Sequence, residues 1–580
     1  MTHIGRWAAI LVLSGWCGYA TAQVEFRTVT LGGTLAPGLG GLLHANFAQP
    51  ALNAGGYVGF SGGVSANPDE CLWTEGAGTY ELLAREEGVA PGTGGAMFST
   101  FYLSTPVLND AGQTAFLHSL SGTGVTSANN STIWMHTPGG EPEVVVREGD
   151  TAPGTGGDLF GDLSFPRLNS SGSVSFYGLL TGSSTNASVW SNASGSMTLL
   201  ARSGSVMTAP GTGGATFFSL TEASVSLNDT GTTVFHAELD GTGVNGVNDE
   251  AIFSNASGSL DLVVRGESVA PGTGGAMFFN FVTSVGLALN NDNDIAFRCG
   301  LTGTGVTSSN NSGIWSTAPG SLSLVVREGD VAPGTGGATF SGFGVVKLNG
   351  TGNVMFTGFL TGSGVTSAND AGVWIETSSG IELVVREGDA APDAGGATFG
   401  NGSGSFSFDP VWNAVGQVAF LYPVTGSGVS SSNDMGLWMT DEDGEIVKVV
   451  REGDVLDVNS DPVLVQTETI WGIRFFSGSG GQDGRIRAIN DDGDIAYQTS
   501  FAPGDPTLVD GGVFVANVPP PVVSVCYADC DGNGTLTIFD YICFGTAYAA
   551  GSAYADCDGN GVFTIFDYIC FGTAYAAGCP

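Results

Sequence analysis

Near the C-terminus, the segment DCDGNGTLTIFDYICFGTAYAAG starting at Asp529 recurs as DCDGNGVFTIFDYICFGTAYAAG from Asp556. Each copy opens D-x-D-x-N-G and carries Asp at its twelfth position. Calcium takes six to eight oxygen ligands from a loop that turns sharply at its sixth residue, and this spacing supplies both features. In the first copy the expected ligands are Asp529, Asp531, Asn533, the Thr535 carbonyl and Asp540, with Thr537 acting through water. In the second they are Asp556, Asp558, Asn560, the Val562 carbonyl and Asp567. Gly534 and Gly561 stand at the turn. Two copies in register, each closing on Asp and leading into a short helix, predict two bound Ca2+ ions.

Elsewhere the chemistry is sparse. Of five histidines, His44, His118, His136 and His236 occupy non-equivalent positions and His3 lies in the leader. No G-x-S-x-G, H-E-x-x-H or phosphate-binding loop occurs. Carboxylates are plentiful enough for a glycosidase pair, but none is singled out. Seven arginines recur in an R-E-G-D phrase: Arg85, Arg147, Arg202, Arg265, Arg327, Arg386 and Arg451. They read either as a guanidinium ring for an acidic ligand, or as structural pairs with neighbouring Glu or Asp. Repetition favours the structural reading, because catalytic centres are single constellations. Asn369-Asp370 and Asn433-Asp434 lie in Gly-rich loops and suit calcium, or more simply Asx turns. SSNDMGLW is similar to the Asp box of sialidase propellers but one residue short, and reads as loop chemistry.

The elements that carry these residues follow from composition. The 580 residues include 94 Gly and 23 Pro, only 12% are charged, and 42% are hydrophobic. The apolar content excludes disorder and suffices for a large core. With Lys+Arg 16 against Asp+Glu 55, the net charge is −39, so nucleic acid and anionic membranes are excluded as partners. Lys347 and Lys448 are the two lysines, and Gly, Thr, Ser, Val and Phe predict strands and turns. Residues 1–22 read as a secretory signal: Arg6, an apolar run at 7–12, and Ala20-Thr21-Ala22 before cleavage. Trp16 beside Cys17 argues against a lipoprotein. No other apolar run is long enough to span a membrane, so no membrane insertion is expected.

Repeats organise the rest. The R-E-G-D arginines recur every 55 to 65 residues, and LNxxGxVxF phrases begin at Asn53, Asn109, Asn169, Asn228, Asn290, Asn349, Asn413 and Asn490. Each unit holds four apolar-alternating runs, one propeller blade. The mature N-terminus, VEFRTVTLGGTLAPG, matches a fourth strand and its following loop, while the last unit stops after its third, GVFVANV. Complementary ends predict a closed ring. The fold class is therefore all-β, an eight-bladed β-propeller over 23–517, with a linear β-solenoid as the rival. A Pro-rich linker (518–525) and a small helical calcium-binding domain (526–580) follow. The repeated Trp134, Trp190, Trp315, Trp374 and Trp438 are expected in the core.

LNDAGQTAF, LNNDNDIAF and LNDTGTTVF resemble the NxxGxxAF tandem-repeat family of bacterial surface proteins with varied C-terminal anchors. Asn293 replaces the motif Gly in the fifth unit, which αL-tolerant Asn permits, and Tyr497 replaces Phe in the eighth. This resemblance implies no catalytic activity. The paired loop–helix motifs resemble the dockerin family, and the form ending in AAGC resembles GC-type dockerins. The resemblance implies calcium-dependent folding and docking to a cohesin-like or other cell-envelope protein. Ile538-Phe539 and Ile565-Phe566 stand where cellulosomal dockerins often carry hydroxyl residues, so they are either core or a different docking surface. Near-identity of the two copies allows two equivalent docking orientations.

Cys526, Cys530, Cys543, Cys557, Cys570 and Cys579 read as a disulfide framework. Repeat symmetry favours Cys530–Cys543, Cys557–Cys570 and a terminal clasp Cys526–Cys579. The symmetric swap is the alternative. Cys71 and Cys299 are expected to stay unpaired. Taken together, these features predict an extracellular or cell-surface, non-enzymatic binding or structural protein, whose propeller takes a glycan or protein ligand. The alternative is a polysaccharide-degrading hydrolase or lyase. Binding is expected on the face of the longer TGTGVTSxND and REGDxAPGTGG loops. The divergent eighth unit, with Arg474, Asp483, Arg485 and Arg487, is the first place to seek a site.

Overall fold

In a computed structural model of the chain, residues 24–580 are described except 66–69, 100–104, 182–185, 401–409, 460–465, 477, 480, 503–510, 520–527, 529, 531–535, 551, 556, 558–561 and 578–580. The signal segment lies outside the described residues. The chain divides between residues 520 and 521 into two units.

In the first unit, the described strands form eight antiparallel sheets of four or five strands each, an eight-bladed β-propeller. Blade six shows the plan. Its strands are Thr339–Leu348, Val354–Thr361, Ala371–Thr377 and Gly380–Arg386, each paired with the next. The alternating runs bury one residue in two on each face, which is why neighbouring blades must share a core. The motif Phe of the second strand sits opposite the Trp of the third. Phe356 pairs with Trp374 in register, their rings stacked 6.1 Å apart. Phe116–Trp134 and Phe420–Trp438 repeat this stack, and all the predicted tryptophans are buried. Cross-strand aromatic pairs of this kind are the main adhesive of a blade.

Blade eight carries the closure. Its strands Thr467–Phe475, Asp494–Phe501 and Gly512–Asn517 are completed on the outside by Glu25–Leu31 from the N-terminus, with Glu25 opposite Asn517 and Leu31 opposite Gly512. Arg27 on that strand reaches blade one, donating to Glu75 at 2.6 Å and to the Gly56 carbonyl at 2.6 Å. The N-terminal strand thereby completes blade eight and ties it to blade one, and the linear solenoid is ruled out. Asn293 does adopt the left-handed conformation (φ 69°), as the glycines at equivalent turns do.

The second unit holds helices Ile538–Ala549 and Ile565–Ala577. They pack as near copies: Phe544 stacks on Phe571 at 4.1 Å, with Tyr541 on Phe571 and Tyr568 on Phe544 edge-on. A Cβ on Gly545 would lie 3.2 Å from the Tyr568 hydroxyl, and one on Gly572 3.1 Å from that of Tyr541, so small residues let the tyrosines approach. Disulfides join Cys530–Cys543 and Cys557–Cys570, which excludes the symmetric swap. The Cys526–Cys579 clasp lies outside the described residues. Cys71 and Cys299 are buried thiols. No described helix is long and apolar enough to cross a membrane.

Candidate functional site

Of the expected calcium ligands, Asp540, Val562 and Asp567 fall within the described residues. Asp529, Asp531, Asn533, Thr535, Asp556, Asp558 and Asn560 do not. Asp540 and Asp567 are both fully buried at 0% exposure, at the N-termini of their helices. Each accepts a backbone N–H from the residue three before it, Thr537 at 2.7 Å and Thr564 at 2.6 Å. Thr537 serves as the helix cap, its hydroxyl accepting from Phe539 N at 3.2 Å. Burying a carboxylate is costly unless charge and hydrogen bonds compensate, and the helix terminus supplies part of that compensation. A closing carboxylate held inward fits the oxygen-only donor set that calcium requires. The disulfide from Cys530 to Cys543 ties the first such loop to its helix, with Cys557–Cys570 doing the same in the second copy. On the outside of the same helices, Ile538, Phe539, Ile542, Ile565, Phe566 and Ile569 are 57–66% exposed. These residues are surface and not core.

In the propeller the repeated residues are consumed by the ring. Each motif Asn is 0–5% exposed. Its carbonyl oxygen caps its own turn, as Asn53 does for Tyr57 N at 3.0 Å. The amide N–H of seven of them reaches the next blade. Asn53 donates to the Asn109 carbonyl, Asn109 to Asn169, Asn169 to Asn228, Asn228 to Asn290 and Asn290 to Asn349, at 2.8–3.2 Å. Asn413 donates to Asn490, and Asn490 returns to Asn53 across the closure. The following residue adds a second rail: Asp110 accepts from Ala54 N, Asp229 from Ser170 N and Asp491 from Ala414 N.

The R-E-G-D phrase is structural as expected, but its arginine partner differs. Nε of Arg147, Arg265, Arg327, Arg386 and Arg451 donates at 2.6–2.8 Å to the carbonyl of an Asn in the blade's own loop between second and third strands. Arg202 makes an ion pair, to Asp158 at 2.7 Å. The carboxylates serve backbone N–H groups instead: Glu148 takes those of Asn130 and Ser131, and Asp150 that of Arg147. Asn369 and Asn433 tie their loops backward where Asx turns were expected, accepting from Thr366 N and Ser430 N three residues earlier and donating to the carbonyls of Gly364 and Gly428. Among the described residues no group of three or more His, Cys, Asp or Glu stands ready for a metal.

The divergent segment of blade eight lies on the opposite face from the one expected. Between its first and second strands it crosses the propeller axis beside the NxxG turns. Arg487 pairs with Asp110 of blade two, and its backbone carbonyl accepts from Leu52 N of blade one. The carbonyls of Gly484 and Asp483 accept from Leu168 and Leu227 in blades three and four. Arg485 reaches Ala223 and Ser226 in blade four, and Gln482 accepts from Asn291 in blade five. Asp483 pairs with Arg485 at 3.4 Å. Burial, then the neighbouring Arg485, push the Arg167 guanidinium beneath them down to about 9. The cleft left beside Asp110, Ser170, Arg485 and Arg487 measures about 20 Å³, room for about one water. The segment is a plug tied to blades one to five largely through its own backbone, and its charges are spent on that task. All four described histidines are buried, and burial pushes His44, His118 and His236 down to about 4.

Among solved structures, the chain is similar to the β-propeller domain of the Trilobed protease from Pyrococcus furiosus, described as having an open velcro topology. That match has 11% identity, covers 71% of this chain and 99% of that one, and has a TM-score of 0.36. It is also similar to polysaccharide lyase Uly1, at 9% identity, 82% and 97% coverage and TM-score 0.33. A mutant puromycin hydrolase complexed with PGG matches at 13% identity, 87% and 71% coverage and TM-score 0.34. No curated protein matches. A family of unknown function, DUF7453, matches residues 16–188 and 166–525, and with that span covering most of its length the chain belongs to this family.

Proposed function

We propose that this is an exported, non-enzymatic cell-surface protein, whose propeller is a binding platform and whose calcium-held tail attaches it to an envelope protein. The observation that carries the reading is the outer surface of the tail. Each helix buries its single charged residue, Asp540 or Asp567, and turns Ile, Phe and Ile outward at equivalent positions. Large apolar side chains left in water in matched triplets mark an interaction surface. With Asp540 and Asp567 held inward to close the calcium loops, metal binding orders the two surfaces. The propeller side rests on the repeated Asn, Arg and Trp residues being committed to the ring, which leaves the non-repeated positions for ligand.

The test uses the full-length protein. Calcium titration by calorimetry is expected to give two sites, lost in D540N/D567N. Immobilised protein is expected to retain an envelope partner in calcium, to release it in EDTA, and to lose it in F539D/F566D while still binding calcium. Retention that survives both EDTA and F539D/F566D overturns the reading.

A further inference from the structure

The first strand of every blade begins after the loop that follows the fourth strand of the preceding unit (PGTGG in blades two to six) and ends at the NxxG turn, where the asparagine links and the plug surround the axis. It is therefore the inner strand of its sheet; in blade eight the short strand Val455–Asp457 pairs with Thr467–Thr469 on that side, and the strand is an edge from Ile470 onward. Its first level is fixed by a recurring hydrogen bond, in which a backbone N–H of the R-E-G-D phrase donates to the carbonyl of a buried residue. Gly149 N to Phe160, Glu267 N to Phe278, Gly329 N to Phe340, Gly388 N to Phe399 and Gly453 N to Ile470 all place that level identically. The next residue in each blade is thus equivalent around the ring: Ala45, Ser99, Gly161, Phe218, Phe279, Ser341, Gly400 and Trp471. Five are Ala, Ser or Gly, and three are large aromatics.

Those three are exposed, Phe218 at 54%, Phe279 at 39% and Trp471 at 52%. The backbone explains how. A β-bulge falls between Phe217 and Ser219 and another between Ile470 and Gly472, leaving Phe218 and Trp471 as extra residues outside the ladder. In blade five the bulge follows Phe279, with Asn280 in the left-handed region at φ 60°. Bulges on an edge strand re-aim side chains away from the sheet. Here the edge borders the axial channel, at the mouth opposite the plug.

We infer that this mouth is a binding site for a neutral oligosaccharide, with Phe218, Phe279 and Trp471 as stacking platforms. The inference rests on the platform reading above and names its ligand class. Phe218 and Phe279 stand in neighbouring blades four and five and Trp471 across the ring in blade eight, with Ser, Gly or Ala at the other five positions, a separation that suits distinct sugar rings better than a continuous apolar helix. Each sugar offers an apolar C–H face to an aromatic and hydroxyls at its edge. Asn280 and Arg474, exposed on the same innermost strands, supply donors for those hydroxyls. The chain's charge of −39 disfavours polyanionic uronate or sulfated chains.

The full-length protein in calcium is titrated with neutral tetra- to hexasaccharides of the β-glucan, xylan, mannan and galactan series, and with oligogalacturonate as polyanion, by calorimetry and tryptophan fluorescence. One neutral series is expected to bind. W471A is expected to weaken it at least about tenfold, and F218A/F279A/W471A to abolish it at an unchanged unfolding midpoint, whereas E141A, in the loop between the third and fourth strands of blade two, leaves it unaltered. Failure of every neutral series, preference for oligogalacturonate, or undiminished binding by the triple variant overturns the site. Glycan binding insensitive to the triple variant would still leave the propeller a platform, and the tail's retention assay does not pass through the channel, so the two readings fail separately.

Discussion

Replacing Asn228 tests the claim that the motif asparagines hold the ring together. Asn228 is fully buried. Its amide donates to the Asn290 carbonyl at 2.8 Å and to Asn293 Oδ1 at 2.9 Å, and its oxygen accepts from Thr232 N at 2.8 Å. Asn228→Leu keeps much of the volume but strands the buried Thr232 N–H and takes from the Asn290 carbonyl one of its two donors, leaving it Asn293 N at 3.3 Å. A buried orphan costs about 1–3 kcal/mol and the lost hydrogen bond about 1 kcal/mol, so the variant loses about 3 kcal/mol. Half-buried Asn129 makes bonds of similar length, to Thr126 N at 2.7 Å and Gly124 O at 3.0 Å, but those bonds lie open to solvent. Asn129→Ala therefore costs no more than about 1 kcal/mol. Asn228→Asp adds a sign. Its carboxylate would face the Asn290 carbonyl, so its folded pKa rises above the unfolded value of about 3.9. The penalty is then full at pH 7 and fades as pH falls toward 4, where the protonated oxygen donates as the amide did. Denaturant unfolding followed by circular dichroism at both pH values reads all three variants. If Asn228→Leu costs under about 1 kcal/mol, or Asn228→Asp is no better at pH 4 than at pH 7, the asparagine ring is not what holds the blades.

Deleting residues 24–31 removes the outer strand of blade eight and exposes the Gly512–Asn517 edge. The truncated chain is expected to unfold earlier and to associate, as seen by light scattering, and a peptide of residues 24–31 is expected to reverse both. A monomeric truncation with an unchanged midpoint would refute ring closure. Burial holds His118 at about 4 against an unfolded value near 6.5, so wild-type stability tied to it is present above pH 6.5 and drains as pH falls toward 4. The gap corresponds to about 3 kcal/mol. Relative to wild type, His118→Phe is expected to gain that amount between pH 7 and pH 4 in paired unfolding curves. Buried carboxylates such as Glu148 and Glu376 shift the opposite way and cancel in the comparison.

How much of this was legible follows from what repeats. Ring closure could be read because VEFRTVT and GVFVANV are complementary fragments of one unit, and the pattern needs no coordinates. The burial of the repeated tryptophans was legible for the same reason, though not their stacking on the motif Phe. The asparagine links were missed, although a signal was available. All eight units carry Asn and none carries Asp, yet Asp would close the same Asx turn equally well. Only the amide N–H distinguishes the two, so the repeated asparagine points to donors reaching beyond their own turns, as seven of the eight do. The arginine partners were misjudged because R-E-G-D invites an ion pair on paper. In the fold the same loop brings a carbonyl to Nε, and the carboxylates are drawn to strand N–H groups. The plug and the aromatic mouth were illegible for the converse reason. Each depends on residues that occur once, and a sequence cannot say whether Arg487 points across an axis or into solvent until the ring around it is built. This divides the molecule by physical role. Repeated polar groups satisfy neighbouring backbones and make the scaffold, while departures from the repeat have no such duty. Trp471, held out of its ladder by a bulge where most blades place a small residue, belongs to the second class, and it is there that binding must be sought.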